Sequence, residues 1–435
     1  MPITILTGYS VYNKKNFHYT HCIADPAFPS SLYYRQSETE PFEPRLNFED
    51  TSTHMFLDES GKHITTDKGF RMAKANVGVR QGRWYWECKV TSGIPKRKRS
   101  ETHEESPRGH VRMGWARREA TLDAPVGFDA YSYGLRDVAG QKVYMSRPKD
   151  FFPTGEDIRE GDVIGLEINL PSESLHRKVV EGHYNPAVDL ADDENIGIET
   201  ADIIRDRVPI RFKAHLYFEQ IEYSPSKELE ELMNPSPVIS STGGLAGGGQ
   251  EPGPTHPYPS LRTLPHSSIK IYKNGELIGT PFKDLLAFLP PASKPVAQVG
   301  ARDGLDDGML GYYPAVSVFR GGAAEVNFGP DFWYPPPGLE NNDDEVDMIG
   351  SDQPPVSKLQ KLRAVSERYS EQIVEDIVYD IVDEVDFWMQ DGGVSGKGAT
   401  NGVLRSTGGV TVQDGMLAGG VLGSEEIKEL VQDDE

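Results

Sequence analysis

His18-Tyr19-Thr20-His21-Cys22 sets two imidazoles and a thiol within five residues, the donor types that hold zinc. A tetrahedral site needs a second cluster of ligands, and no other stretch of the chain supplies one. Coincidence on a surface or in a core is therefore the expected reading. Gly243 to Gly249 has the glycine content of a phosphate-cradling loop but lacks the preceding strand, the following helix and the lysine, so a linker is expected. Asp303-Gly304-Leu305-Asp306-Asp307-Gly308 has the composition of a calcium loop without its ligand spacing, and a solvated turn is the better reading. No catalytic constellation and no cofactor are expected.

Two features rise above these. Lys96-Arg97-Lys98-Arg99 is a basic run on a polar loop between strand-like stretches. It reads as a solvated loop tip, a nuclear-import signal or a contact with DNA phosphates, the last weak and without sequence specificity. The second feature is a C-terminal amphipathic stretch. Ile373, Ile377, Ile381 and Val385 recur every four residues, flanked by Val374, Val378, Val382 and Trp388. That spacing predicts one wide apolar stripe on a helix, stopped by Gly392-Gly393. Its polar face sets Glu371 beside Glu375, and Asp376 beside Asp380 and Glu384, each such pair costing a few tenths of a kcal/mol in an isolated helix. A Pro-rich acidic linker precedes it, so the helix is expected to leave its domain and enter another protein's groove.

The elements that must carry these features are mostly strands. From about Leu46 to Tyr223 short apolar and aromatic runs alternate with Gly, Pro, Asn and Asp. In Asp162 to Leu170, Ile164, Leu166, Ile168 and Leu170 fall on one side, the period of a half-buried strand. Arg211 to Phe218 reads as a further strand. Asn274-Gly275 between two β-rich runs predicts a hairpin. Many short strands with almost no helical pattern between them favour a β-sandwich or barrel. The expected organisation is an N-terminal segment, 1–45; a β-domain, 46–335, interrupted by a flexible Gly/Pro-rich insertion at 224–265; an acidic linker, 336–357; a partner-binding helix, 358–391, opened by a capping box at Ser357; and a disordered tail, 392–435.

Charge follows that division. The 435 residues hold 67 acidic and 45 basic side chains, a formal net charge of −22, and 15 of the acids against four bases lie between residues 336 and 391. The bulk field therefore opposes coating of nucleic acid or adsorption to anionic membranes. Two cysteines, no apolar run of membrane length and no secretory leader lead us to expect a soluble intracellular protein.

Several of these stretches resemble a SPRY domain. They are Gly78-Val79-Arg80-Gln81-Gly82-Arg83-Trp84-Tyr85-Trp86-Glu87, Arg112-Met113-Gly114-Trp115, Gly161-Asp162-Val163-Ile164-Gly165, and Ile271-Tyr272-Lys273-Asn274-Gly275 through Phe328-Gly329-Pro330. Ala124 to Tyr133, Ile168 to Pro171 and Tyr217-Phe218-Glu219 are similar to the variant found in the Ash-two/Bre-two subunits of COMPASS complexes. Val374 to Asp386 resembles that family's binding motif for the dumpy-thirty subunit. The fold class implied is a mostly β SPRY sandwich with a long insertion and a separate C-terminal amphipathic α-helix. The function implied is a non-catalytic, nuclear scaffold of a histone H3 lysine-4 methyltransferase complex. Its partners would be a WD-repeat propeller subunit, a SET-domain catalytic subunit and a dumpy-thirty homodimer, with the Lys96–Arg99 loop the candidate nucleosome contact. Arg80 and Arg112 fall where the family places the basic residues of its acidic-peptide pocket, with Pro95 as a wall. Each arginine has the alternative of a structural ion pair. The zinc-finger and winged-helix region of the animal proteins has no counterpart in the sequence, which suits a fungal form. A SPRY adaptor of a ubiquitin ligase or signalling complex is the competing class; two cysteines leave no room for its RING or zinc-binding box.

Overall fold

A computed structural model describes residues 17–26, 34–96, 109–189, 208–221, 223–235, 251–289, 293–295, 306, 308–339 and 361–387. Two antiparallel sheets face each other across one apolar core. In spatial order the first holds Arg147–Lys149, Lys142–Tyr144, Ser132–Arg136, His110–Arg117, Tyr312–Phe319, Arg71–Ala75 and Leu46–Thr51. The second runs Glu276–Lys283, Ser268–Lys273, Val163–Leu170, Gly82–Ser92, Ala323–Asn327, His63–Thr65 and Phe56–Leu57.

The period-two pattern decides which side chains enter the core. Trp84, Trp86, Cys88 and Val90 point inward from one sheet, Val111, Met113 and Trp115 from the other. Trp86 meets Trp115 edge-on with ring centroids 6.3 Å apart, a favoured aromatic geometry. Ile164, Leu166, Ile168 and Leu170 are all in this core, as their alternation predicts. The Asn274-Gly275 turn forms with positive φ at both residues, 49° and 86°, which joins the flanking strands as a tight hairpin.

The outward face of the second sheet buries a carboxylate beneath partly exposed cations. Glu167 is fully buried and accepts hydrogen bonds from Arg83 (2.8 Å), Lys270 (2.9 Å) and the Tyr272 hydroxyl (2.8 Å). Burial alone would raise its pKa, but these donors outweigh burial and hold it below the usual carboxylate range. Glu167→Gln should therefore cost roughly 3 kcal/mol, because two cations lose a buried partner. The deficit is full above the ordinary carboxylate value of 4.5 and closes as the wild-type carboxylate protonates below it. Urea midpoints of the two proteins measured from pH 7 to pH 3 check this; curves that stay parallel would contradict it.

Four segments depart from the sequence reading. Arg211 to Phe218 is not one strand: Val208–Phe212 and His215–Ile221 form a hairpin that turns at Lys213, which has φ 55°. Part of the N-terminal segment joins it, since Phe17–Ala24 pairs with His215–Ile221 and Tyr34–Gln36 pairs on its far side. The insertion expected to be flexible contains ordered structure. After α1 (Glu173–Glu181) comes α2 (Lys227–Met233), capped by Ser226 Oγ on Leu229 N, and Leu229, Leu261 and Leu264 are buried. Apolar side chains spaced through a Gly/Pro-rich stretch supplied that anchorage; residues 236–250 of the insertion lie outside the described residues.

The fourth concerns the C-terminal helix. α3 spans Val365–Phe387 instead of starting at 358, and residues 340–360, with the proposed capping box, lie outside the described residues, as does the 392–435 tail. Just before it, Leu362–Ala364 runs parallel to Arg83–Tyr85 in the central strand of the second sheet. Leu362, Ala364, Val365, Arg368 and Tyr369 are buried. The first turns of the helix thus belong to the sandwich, while the aliphatic stripe from Ile373 onward is exposed.

Candidate functional site

α3 meets its own domain with its polar face. Arg368 donates from Nε to Gly78 O (3.2 Å), and Gln372 donates from Nε2 to Asn76 O (3.1 Å) while its Oε1 accepts from Gly78 N (3.2 Å). The Tyr369 hydroxyl donates to Glu38 (2.7 Å). The first acids of the polar face are neutralised locally: Arg363 holds Glu367 and Glu371, and Arg368 holds Glu375 through two 2.6 Å contacts. Repulsion between Glu371 and Glu375 is thereby relieved in the part of the helix that meets the sandwich. With the polar face engaged, Ile373, Val374, Ile377, Val378, Ile381, Val382 and Val385 stand 41–59 % exposed. A helix with its apolar side turned to solvent inverts the usual arrangement, and a contiguous exposed apolar patch marks a contact surface. Trp388, expected to extend the stripe, lies outside the described residues.

Arg80 is occupied. Its guanidinium is nearly buried, contacting Glu173 (Nε, 3.0 Å; Nη2, 3.3 Å) and Asp306 (Nη1, 3.1 Å; Nη2, 2.6 Å). Burial disfavours its charge, but the two carboxylates more than compensate and keep it firmly protonated. Asp306, read from sequence as part of a solvated turn, is thus an ion-pair partner.

Arg112 is differently placed. It lies on the outward face of the first sheet, directly across from Arg136, with its guanidinium 4.6 Å over the Phe70 ring. Burial, and then Arg136, push its pKa down to about 10. The nearby Asp137 is held by His110 Nδ1 (3.0 Å) and Val111 N (3.1 Å). Arg136 escaped the sequence reading because Leu135-Arg136 looks like any strand pair with an outward charge; only the register sets it opposite Arg112.

The two arginines expected in one pocket do not meet. Tyr312–Phe319 bonds Val79 at its Tyr312 end and faces Arg112 at Ser317. Five strand residues separate the two sites by ~17 Å. Pro95 and Lys96 are exposed, on the loop that follows the Gly82–Ser92 strand, where Ile94 bridges to Arg159. Arg97, Lys98 and Arg99 lie outside the described residues. His18, His21 and Cys22 share one strand without assembling a site: His21 Nδ1 contacts Ser37 Oγ, Cys22 is buried, and no group of three or more potential metal ligands converges among the described residues. No helix among those residues is long and apolar enough to cross a membrane.

The described residues thus form a β-sandwich that displays an apolar helix face and an outward arginine pair. No family model matches the chain. It is 64 % identical over 445 residues to COMPASS component cclA of Colletotrichum higginsianum, covering 98 % of this chain and 75 % of that protein. It is 40 % identical over 376 residues to Set1 complex component ash2 of Schizosaccharomyces pombe, covering 86 % of this chain and 46 % of that protein. A human SPRY domain aligns with 64 % of the chain and 98 % of its own length at 11 % identity and a TM-score of 0.28, too low to add to the strand order and packing. The chain belongs to the Ash-two/Bre-two family of COMPASS components, as the sequence resemblance implied.

Proposed function

We propose that this protein is a non-catalytic scaffold of a nuclear COMPASS-type histone H3 lysine-4 methyltransferase complex. The observation that carries the reading is the inverted helix: α3 bonds its polar face to the sandwich and leaves seven aliphatic side chains for an outside partner. The hydrophobic groove of a dumpy-thirty homodimer is that partner. The sandwich takes an acidic segment of the WD-repeat propeller subunit, and together they hold the SET-domain subunit in its active arrangement. The Lys96–Arg99 loop supplies a nucleosome contact. Tagged full-length protein purified from nuclei should bring down SET, propeller and dumpy-thirty subunits. Recovery of ubiquitin-ligase machinery in their place would overturn the reading.

Within the sandwich, Arg112 is the better peptide ligand, since Arg80 already carries two carboxylates. Arg112→Ala should weaken binding of an acidic peptide by about 1.5–3 kcal/mol, the worth of a charged hydrogen bond, with little change in fold stability. Arg80→Ala should instead cost roughly 3 kcal/mol of fold stability by stranding Glu173 and Asp306. Calorimetric titration paired with urea denaturation separates the two, and a reversed pattern would return the pocket to Arg80.

A further inference from the structure

Tyr334-Pro335-Pro336-Pro337 lies against the outward side of the second sheet without joining it as a strand. Each proline ring fixes its own φ and turns the residue before it away from the helical region. Three prolines in a row therefore set a polyproline II course from Tyr334 onward. The stretch is moored at its start. Buried Glu87 accepts hydrogen bonds from Trp333 N (2.7 Å) and Tyr334 N (2.8 Å), and the Tyr85 hydroxyl donates to Tyr334 O (3.3 Å). Phe332 meets the Tyr85 ring edge-on, with centroids 4.9 Å apart. The far end closes in a turn of type II form: Gly338 has φ 90°, and Leu339 N donates to Pro336 O (3.2 Å).

A polyproline II helix turns once every three residues or so and therefore has three edges. Pro336 is buried on one of them, while Tyr334, Pro335 and Pro337 are exposed on the other two. Tyr334 and Pro337 share an edge, about 9 Å apart at the rise of this helix. Among the described residues the carbonyls of Pro335 and Pro337 carry no hydrogen bond. The sandwich thus holds the course of the segment and leaves two apolar edges and two acceptors facing outward. We infer that Tyr334–Pro337 is a docking ligand for a domain of the proline-recognition class, whose aromatic-lined groove grips exposed edges of a polyproline II helix. Glu87 and the Gly338 turn have already ordered the backbone, so association loses less conformational freedom than it would with a free peptide. The inference does not depend on the acidic-peptide reading, which concerns the other sheet.

The full chain is titrated calorimetrically with a panel of purified Src-homology-three and WW domains. At least one should bind, and Pro335→Ala should weaken that domain about tenfold or more, the equivalent of roughly 1.4 kcal/mol. Pro335→Ala leaves the Gly338 turn and the Glu87 contacts in place, so the melting temperature should fall only slightly. Pro337→Ala, on the other exposed edge, should weaken the same domain likewise, whereas Tyr258→Ala, exposed elsewhere, should not. A synthetic peptide of residues 331–339 should bind that domain no more tightly than the chain does. A peptide that binds more tightly than the chain overturns the inference, because the sandwich would then be hiding the segment. Binding that persists unchanged in both proline variants overturns it, since the contact would lie elsewhere. Failure of every domain in the panel to bind the chain overturns it as well.

Discussion

A chain ended at residue 360 is expected to lose most or all of the stability of the sandwich. Leu362 and Val365 are almost completely buried, each worth roughly 1.5–3 kcal/mol, and Tyr369 adds a largely buried ring. Removing Leu362–Ala364 also opens the pairing edge of the central strand at Arg83–Tyr85. The Gln372 and Arg368 contacts that satisfy the backbone of Asn76 and Gly78 go with them. A total loss of about 5 kcal/mol or more is comparable with the whole stability of an ordinary domain. The acidic-linker reading of the sequence predicts the opposite, a sandwich indifferent to its C-terminal helix. Urea denaturation followed by tryptophan fluorescence decides between them. Ending the chain at residue 372 is the control, since it keeps the buried turns and should fold. Equal midpoints for chains ended at 360 and 372 would show that residues 361–372 are dispensable.

The difference between those readings shows what local pattern conveys. Alternation in Val163–Leu170, the Asn274-Gly275 turn and the four-residue recurrence of Ile373, Ile377 and Ile381 are properties of neighbouring residues, and each forms the strand, turn or helix that the pattern implies, although Val163–Leu170 is buried on both faces instead of one. Partners far apart in the chain leave no such mark. Glu173 and Asp306 are 93 and 226 residues from Arg80, and Gln372 is 296 from Asn76. The Arg112–Arg136 pair is hidden for the same reason, because strand register cannot be read from either strand alone. One clue was available and pointed the right way. Arg363 and Glu367 stand at i, i+4, with Glu371 one turn further on, so the acidic face had its own counter-charges. Counting only like-charge pairs overstates the repulsion between Glu371 and Glu375, whose counter-charges lie one and two turns before them.

Joint replacement of Ile377 and Ile381 by Asp is expected to abolish capture of the dumpy-thirty subunit while leaving the urea midpoint of the sandwich unchanged. Each isoleucine contributes roughly 1.5–3 kcal/mol when fully buried, and each Asp would bring a charge into an apolar groove, so the combined loss exceeds about 4 kcal/mol or a thousandfold in affinity. The fold should tolerate the change because both positions are about half exposed in the free protein and lie beyond the turns that the sandwich buries. The paired measurement separates an outside occupant from an internal one. If another part of this same chain covered the stripe, the two charges would lower the midpoint as well as the capture. If neither quantity moved, the stripe would not be the docking surface. Loss of capture at constant stability is the single outcome that an apolar face kept for a separate protein predicts. The conservative changes Asp376→Glu and Asp380→Glu, on the polar side, should leave both readings untouched, because they keep the charge and add no apolar contact to the stripe.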